Sequence, residues 1–280
     1  MLILRKISET QHQLGAFRSK KMTVGLVPTM GALHSGHLSL IKACSAENDI
    51  TVVSIFVNPA QFNDSQDFER YPRDFDNDIS ILRNQECDLV FAPADEEMYP
   101  EPDTRVFQFG TIDKEMEGKH RPGHFNGVAQ VVSRLFEIIE PDKAYFGQKD
   151  FQQLTIIKEL VRQFNCPIDI VSCPIIREPD GLAMSSRNQL LNKEQRFAAS
   201  KINKSLEKAV SLSGTMEIES LKKRIIGEID SDPLLETEYF EIVDEETLEP
   251  VSGWSDNAKN IGCIAVHIGE VRLIDNMKFS

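Results

Sequence analysis

The chain has 280 residues, 41% apolar and 27% charged, an ordinary globular balance with room for one large domain or a large and a small one. Its formal net charge of -13 and pI of about 5.0 make nucleic acid and anionic membrane poor partners, because like charge repels over a Debye length of ~8 Å in physiological salt. An anionic small-molecule substrate would need a locally basic pocket against that background.

From the N-terminus, Met1–Lys6 turns polar too soon for a secretory leader, and no apolar run approaches the ~18 residues of a membrane span. A cytoplasmic location is therefore expected. Met22–Val27 predicts a first strand, Leu38–Glu47 a helix, and Ile50–Val57 a second strand whose SIFV run is apolar on both faces, as in a strand covered from both sides. Phe75–Gln85 predicts a helix and Asp88–Ala92 a strand. Val128, Val131, Val132, Leu135, Phe136 and Ile139 repeat with the ~3.6-residue period of a helix. Lys143–Phe146 and Ile168–Ile176 read as strands on either side of a helix over Phe151–Phe164, with Asp150 at the N-cap position. Strands alternating with helices imply an α/β, Rossmann-like, doubly wound parallel sheet over residues 1–176. Beyond it, helices over Lys193–Leu212 and Met216–Ile229 precede strands at Thr237–Val243, Ile261–Ile268 and Val271–Ile274, which predicts a smaller α+β domain over 177–280. Cys44, Cys87, Cys166, Cys173 and Cys263 are scattered and contain no C-x-x-C pair, so neither a disulfide framework nor a Cys-rich zinc site is expected.

Four segments carry candidate chemistry. Val27–Leu38 leaves a strand and enters a helix, a place where unpaired N–H groups and a partial positive charge favour phosphate. Gly31 and Gly36 permit close backbone approach or positive φ. His34 and His37 are spaced to face the same side of the helix start and to donate hydrogen bonds to phosphate oxygens. An isolated H-x-x-H is also compatible with a structural role; a metal site has less support, because residues 28–46 hold no Asp or Glu and no third ligand is evident nearby. The loop Asp180–Asn188 offers small hydroxylated residues and the permanent donor fork of Arg187, although a surface turn with a solvated arginine would look the same. In Phe146–Leu154, Gly147 permits close backbone approach and Lys149 offers a cation beside a helix start. Asp150 is either a cap or a ligand contact, and Gln153 is either exposed or directed inward. In Phe56–Phe62, an amide after a buried strand can bond a small hydroxy acid without adding charge. In His120–His124, Pro and Gly suggest either a loop gripping an anion or a loop anchor. All four main segments follow predicted strands, and loops after parallel strands open onto one crevice.

The H-x-G-H string resembles the nucleotidyltransferase superfamily that includes class I aminoacyl-tRNA synthetases. Over Pro28–His37, with Met184–Asn188 as the counterpart of the synthetases' Lys-Met-Ser-Lys-Ser loop, the chain is similar to the pantoate–β-alanine ligase family. That resemblance spans nearly the whole chain and is strongest from Val27 to Arg187. It implies that ATP is bound by Met30, Gly31, Ala32, Leu33, His34, Ser35, Gly36 and His37, by Gly147, Gln148, Lys149 and Asp150, and by Ile176, Met184, Ser185, Ser186 and Arg187. It places pantoate on Gln61 and Gln153 and β-alanine on Gln61. His37, His34, Lys149 and Arg187 become the catalytic group, ATP arrives with Mg2+, and no protein-bound metal or tight organic cofactor is implied. The larger domain would bind nucleotide and pantoate, the smaller would act as a lid, and the chain would form a homodimer. With no G-x-S-x-G elbow or evident triad, positioning and charge stabilisation are expected in place of a covalent nucleophile. Backbone N–H groups near Gly31, Ser185 and Ser186 are expected to help hold phosphate. Two readings compete: a nucleotidyltransferase that adenylylates a small phosphorylated cofactor precursor, and a non-catalytic nucleotide- or metal-binding regulator.

Overall fold

The structure, a computed structural model, describes residues 1–255 and 259–279. In chain order its elements are β1 (Leu2–Leu4), α1 (Ile7–Arg18), β2 (Val24–Thr29), α2 (Ser35–Glu47), β3 (Ile50–Ile55), α3 (Ser65–Arg70), α4 (Phe75–Leu82), β4 (Leu89–Phe91) and α5 (Asp95–Met98). There follow α6 (Glu117–His120), α7 (His124–Ile139), β5 (Lys143–Gly147), α8 (Phe151–Phe164), β6 (Asp169–Cys173), α9 (Lys193–Ser211), α10 (Ile218–Ile229), β7 (Glu236–Asp244), β8 (Asn260–Ile268) and β9 (Val271–Phe279).

These elements form two compact units. One comprises Met1–Phe109, Arg121–Gln148 and Gln153–Pro174; the other comprises Gly110–His120, Lys149–Gln152 and Ile175–Ser280. A single division at residue 176 is what the sequence pattern suggested, whereas the chain passes between the units several times.

The first unit is built on six parallel strands in the order β1-β4-β3-β2-β5-β6, the doubly wound arrangement the alternating pattern predicts. Its central strands are apolar on both faces, with Leu26, Val27, Val52 and Val53 fully buried. Each such side chain contributes ~1.5–3 kcal/mol of transfer free energy. The stripes of α2 and α4 join the strands around Ile41, Val53 and Leu82. Strand order reverses between β2 and β5, the point where open sheets of this kind bind ligands. There the ladder holds only Gly25 opposite Lys143 and Leu26 opposite Ala144. Past it, Pro28 has no N–H to extend the pairing, and β2 parts from β5.

The second unit has an antiparallel sheet β7-β8-β9. Strand β8 is buried along nearly its whole length, so the sheet needs cover on both faces. On one face, Phe240, Ile264, Val266 and Leu273 pack with Leu206, Leu221 and Ile225 of α9 and α10. On the other, Tyr239, Ile261, Cys263 and Ala265 pack with Met116, Ile112 and Phe151. This second cover explains why the Gly110–His120 and Lys149–Gln152 segments belong with the C-terminal elements. Glu117 fixes the first of them: its carboxylate accepts from Tyr239 Oη at 2.7 Å and from Arg272 at 2.6 and 2.9 Å. Among the described residues, no helix is long and apolar enough to cross a membrane.

Candidate active site

At the C-terminal end of β2 the chain turns through two successive left-handed residues, Gly31 at φ 75° and Ala32 at φ 48°. The buried carboxylate of Asp78, on α4, holds this turn by accepting from Ala32 N at 2.9 Å and Leu33 N at 2.7 Å. A Cβ on Gly31 would lie 2.8 Å from that carboxylate. Burial raises the Asp78 carboxyl above the usual aspartate range, opposed by the N–H groups of Leu33 and Ala32. Two of the amides expected to receive phosphate are therefore bonded to an anion of the chain's own. A third, Gly31 N, donates to Thr29 Oγ1 at 3.2 Å.

The turn delivers His34 as the N-cap of α2. His34 Nδ1 accepts from Gly36 N at 3.1 Å, and His37 Nδ1 accepts from His34 N at 3.3 Å, a reciprocal capping box built from two imidazoles. The ring centroids are 4.0 Å apart. A ring nitrogen that accepts from a backbone N–H carries no proton, so each neutral ring holds its proton on Nε2. The pair thus places two N–H donors side by side at a helix start. Ser35 and Gly36 form the first turn of α2 beside them.

Gln61 closes the 3-10 turn Pro59–Gln61 that follows β3. Its side-chain Nε2 lies 2.7 Å from Met30 Sδ, which brings this predicted residue onto the same loop that leads to His34. Its backbone carbonyl accepts from His124 Nδ1 at 2.8 Å and Arg121 at 3.4 Å. Arg121 also lies 3.1 Å from His124 Nε2, an arrangement that suits the tautomer carrying its proton on Nδ1. The His120–His124 segment thus anchors Gln61 through His124 and Arg121. Asn58, the other amide of this segment, is fully buried. It caps Ala60 N, donates to Gly127 O at 3.0 Å and accepts from Tyr99 Oη at 3.2 Å. A cavity of about 360 Å³ opens beside Met30 and Gly31, walled by Ile55, Phe56, Phe75 and Asp78, with Arg73 among its lining residues. Arg73 donates to Phe68 O at 3.0 Å and lies over the Phe68 ring. Gln148, after β5, donates to Ser172 Oγ at 3.0 Å. Gln153 is half-buried in the first turn of α8.

Gly147 ends β5 in the first unit, and the remaining predicted residues lie in the second. Asp150 ends a 3-10 turn before α8, and its carboxylate is 3.7 Å from Lys149 Nζ. The next residue but one, Gln152, is buried and ties down the 110–120 segment, donating to Ile112 O and Glu115 O and accepting from Glu117 N. Met184 N donates to Ile176 O at 2.9 Å. Ser185 caps the turn Ser186–Leu190 by accepting from Arg187 N at 3.3 Å. Lys149 and Arg187 thus both belong to this unit.

The sequence profile described as pantoate-beta-alanine ligase matches residues 2–278. The chain belongs to the pantoate-beta-alanine ligase family. It is 51% identical over 279 residues to the pantothenate synthetase of Bacteroides thetaiotaomicron, covering 100% of this chain and 99% of that protein. It is 48% identical to that of Thermosipho africanus, covering 99% of each. A crystal structure of pantothenate synthetase from Thermus thermophilus superposes with a TM-score of 0.92 at 40% identity, covering 100% of this chain and 99% of that one. The Francisella tularensis pantoate-beta-alanine ligase, complexed with beta-gamma ATP and beta-alanine, gives 0.84 at 36% identity, covering 99% and 97%.

In this member of the pantoate-beta-alanine ligase family the thiols are unsuited to act as nucleophiles. Burial pushes Cys44 to about 11 and Cys87 to about 12, and it also raises Cys166, Cys173 and Cys263, so none is a thiolate at neutral pH. Asp78 did not figure among the predicted site residues, yet the sequence holds a sign of it. It sits in the apolar stripe of α4 between Phe75, Ile79 and Leu82, where an acidic residue must be bonded to something.

Proposed function

We propose that the chain condenses pantoate with β-alanine, consuming ATP, through a pantoyl-adenylate. The pantoate carboxylate attacks the α-phosphorus of ATP and pyrophosphate leaves. The β-alanine amine then attacks the acyl carbon, expels AMP and loses a proton, giving the amide of pantothenate.

The observation that carries this reading is the imidazole pair. Two Nε2–H donors, each set by a backbone bond at Nδ1, are preorganised for charge that develops on phosphate oxygens, with no reorganisation at the moment of reaction. Gln61, held through its own backbone by His124 and Arg121, offers a neutral amide to the hydroxyl and carboxylate of pantoate and then to β-alanine. Gln153 contributes a second amide to pantoate. Lys149 and Arg187 neutralise the departing pyrophosphate. Magnesium enters with the ATP substrate, taking phosphate oxygens and water as most of its ligands. The Francisella ligase, crystallised with beta-gamma ATP and beta-alanine, supports these two as ligands. On the family resemblance, the chain works as a cytoplasmic homodimer.

The test omits each substrate in turn. ATP and pantoate alone should release about one equivalent of pyrophosphate per site, and added β-alanine should start turnover with AMP as product. A nucleotide conjugate appearing in place of AMP would shift the assignment to an adenylyl-transferring enzyme. No pyrophosphate release would reduce the chain to a binding protein.

A further inference from the structure

Strand β9 carries two adjacent buried polar residues, Asp275 and Asn276, 3% and 6% exposed. Burying a carboxylate and an amide side by side is unfavourable unless both are bonded, and both reach loops beyond the sheet. Asp275 takes the fork of Arg177 at 2.6 and 3.0 Å. The same guanidinium donates to Gly181 O at 3.1 Å and to Asn276 O at 3.3 Å. Arg177 opens the hairpin that leads to Ser185–Arg187: it bridges Ala183, and Glu178 N donates to Leu182 O at 2.8 Å. One residue further along β9, Asn276 Nδ2 donates to the carbonyl of Lys149 at 2.9 Å. All these residues lie in the second unit.

We propose that Asp275 and Asn276 are positioning residues that hold the Lys149 loop and the Ser185–Arg187 loop in register with one another, so that the two cations meet one departing pyrophosphate together. This inference rests on the phosphate roles given above to Lys149 and Arg187. It assigns to the C-terminal sheet a part in the first half-reaction and none in the second, since transfer to β-alanine needs no pyrophosphate contact.

The test uses the full chain and measures two half-reactions: pyrophosphate release from ATP and pantoate, and AMP release from supplied pantoyl-adenylate and β-alanine. Asn276→Leu, which keeps shape and removes the donor, should slow the first about tenfold, the scale of one net hydrogen bond. It should leave the second within about twofold and the KM for pantoate unchanged. In a Lys149→Ala background the same substitution should have no further effect, because residues acting through one group are not additive. Should Asn276→Leu fail to fold, Arg177→Lys, which keeps the charge and loses the fork, should show the same pattern against an Arg187→Ala background. Equal loss in both half-reactions, or full additivity with Lys149→Ala or Arg187→Ala, makes the pair merely structural and overturns the inference. Slow pyrophosphate release by Lys149→Ala and Arg187→Ala, with wild-type rates for Asn276→Leu and Arg177→Lys, overturns it while leaving the cation roles intact. Wild-type release by Lys149→Ala and Arg187→Ala overturns the cation roles and the positioning role together.

Discussion

His34 and His37 each accept a backbone N–H at Nδ1 and, in the proposed reaction, donate from Nε2, so a single substitution tests capping and the proposed chemistry together. His37→Ala removes the acceptor for His34 N and one Nε2–H donor. Loss of a cap costs ~1 kcal/mol, which a folded enzyme tolerates, whereas loss of one preorganised donor costs on the order of a hundredfold or more in rate. Thermal melting alongside rapid-quench pyrophosphate release should show a small stability loss beside a large rate loss. Near-wild-type turnover by a folded variant would remove His37 from the chemistry. Asp78 makes a pH-dependent contribution of definite sign. Its carboxyl is raised in the fold, chiefly by burial, so the folded chain binds that proton more tightly than the unfolded chain. Ionising it therefore subtracts stability as pH climbs from the ordinary aspartate value through the raised one, and the loss is constant above that. Urea unfolding at a series of acidic to neutral pH values should show the stability of wild type relative to Asp78→Asn falling as pH rises, then levelling. A difference that rises with pH would mean that the two backbone donors outweigh burial.

Among the elements, α7 sits close against the turn that presents Gln61. A Cβ at Gly127 would lie 2.2 Å from the backbone oxygen of Ala60, so Gly127→Ala must push the helix and the turn apart. Such overpacking costs ~1–3 kcal/mol, and because Asn58 bonds Gly127 O, pantoate binding should weaken more than ATP binding. Calorimetric titration of each ligand, beside a urea melt, checks both; equal loss for the two ligands would point to general loosening. The central strands and most long helices were legible because their apolar residues follow the periods of their elements. Helix α1 was not, since only Thr10 and Leu14 of its twelve residues are buried and no stripe stands out. The apolar pattern predicts strand β9 only as far as Ile274, because Asp275 and Asn276 break it, and those are the residues that reach the two loops. The same failure hid the role of Asp78. The pattern could be read where side chains serve packing and was lost where a buried polar group holds a loop, as expected when local rules yield at functional positions. The imidazole pair was visible by spacing, but its tautomer needed the backbone bonds.

At the level of the whole molecule, neither unit is a continuous stretch of chain. A protein ended at residue 176 would keep Gly110–His120 while losing the sheet face on which Met116 packs and the partners of Glu117, Arg272 and Tyr239. A buried apolar side chain and a buried carboxylate would both be left without cover, so residues 1–176 alone should melt without a cooperative transition and aggregate. Calorimetry and sedimentation of that fragment would decide, and a sharp monomeric transition would refute the expectation. The same interleaving bears on how such a protein can be recombined. Grafting the C-terminal region of one relative onto another at a single crossover would mismatch Ile112 and Met116 with a foreign sheet and Lys149 with a foreign asparagine. A working chimera has to inherit Gly110–His120, Lys149–Gln152 and Ile175–Ser280 from one parent, so these three stretches should be transmitted as a block.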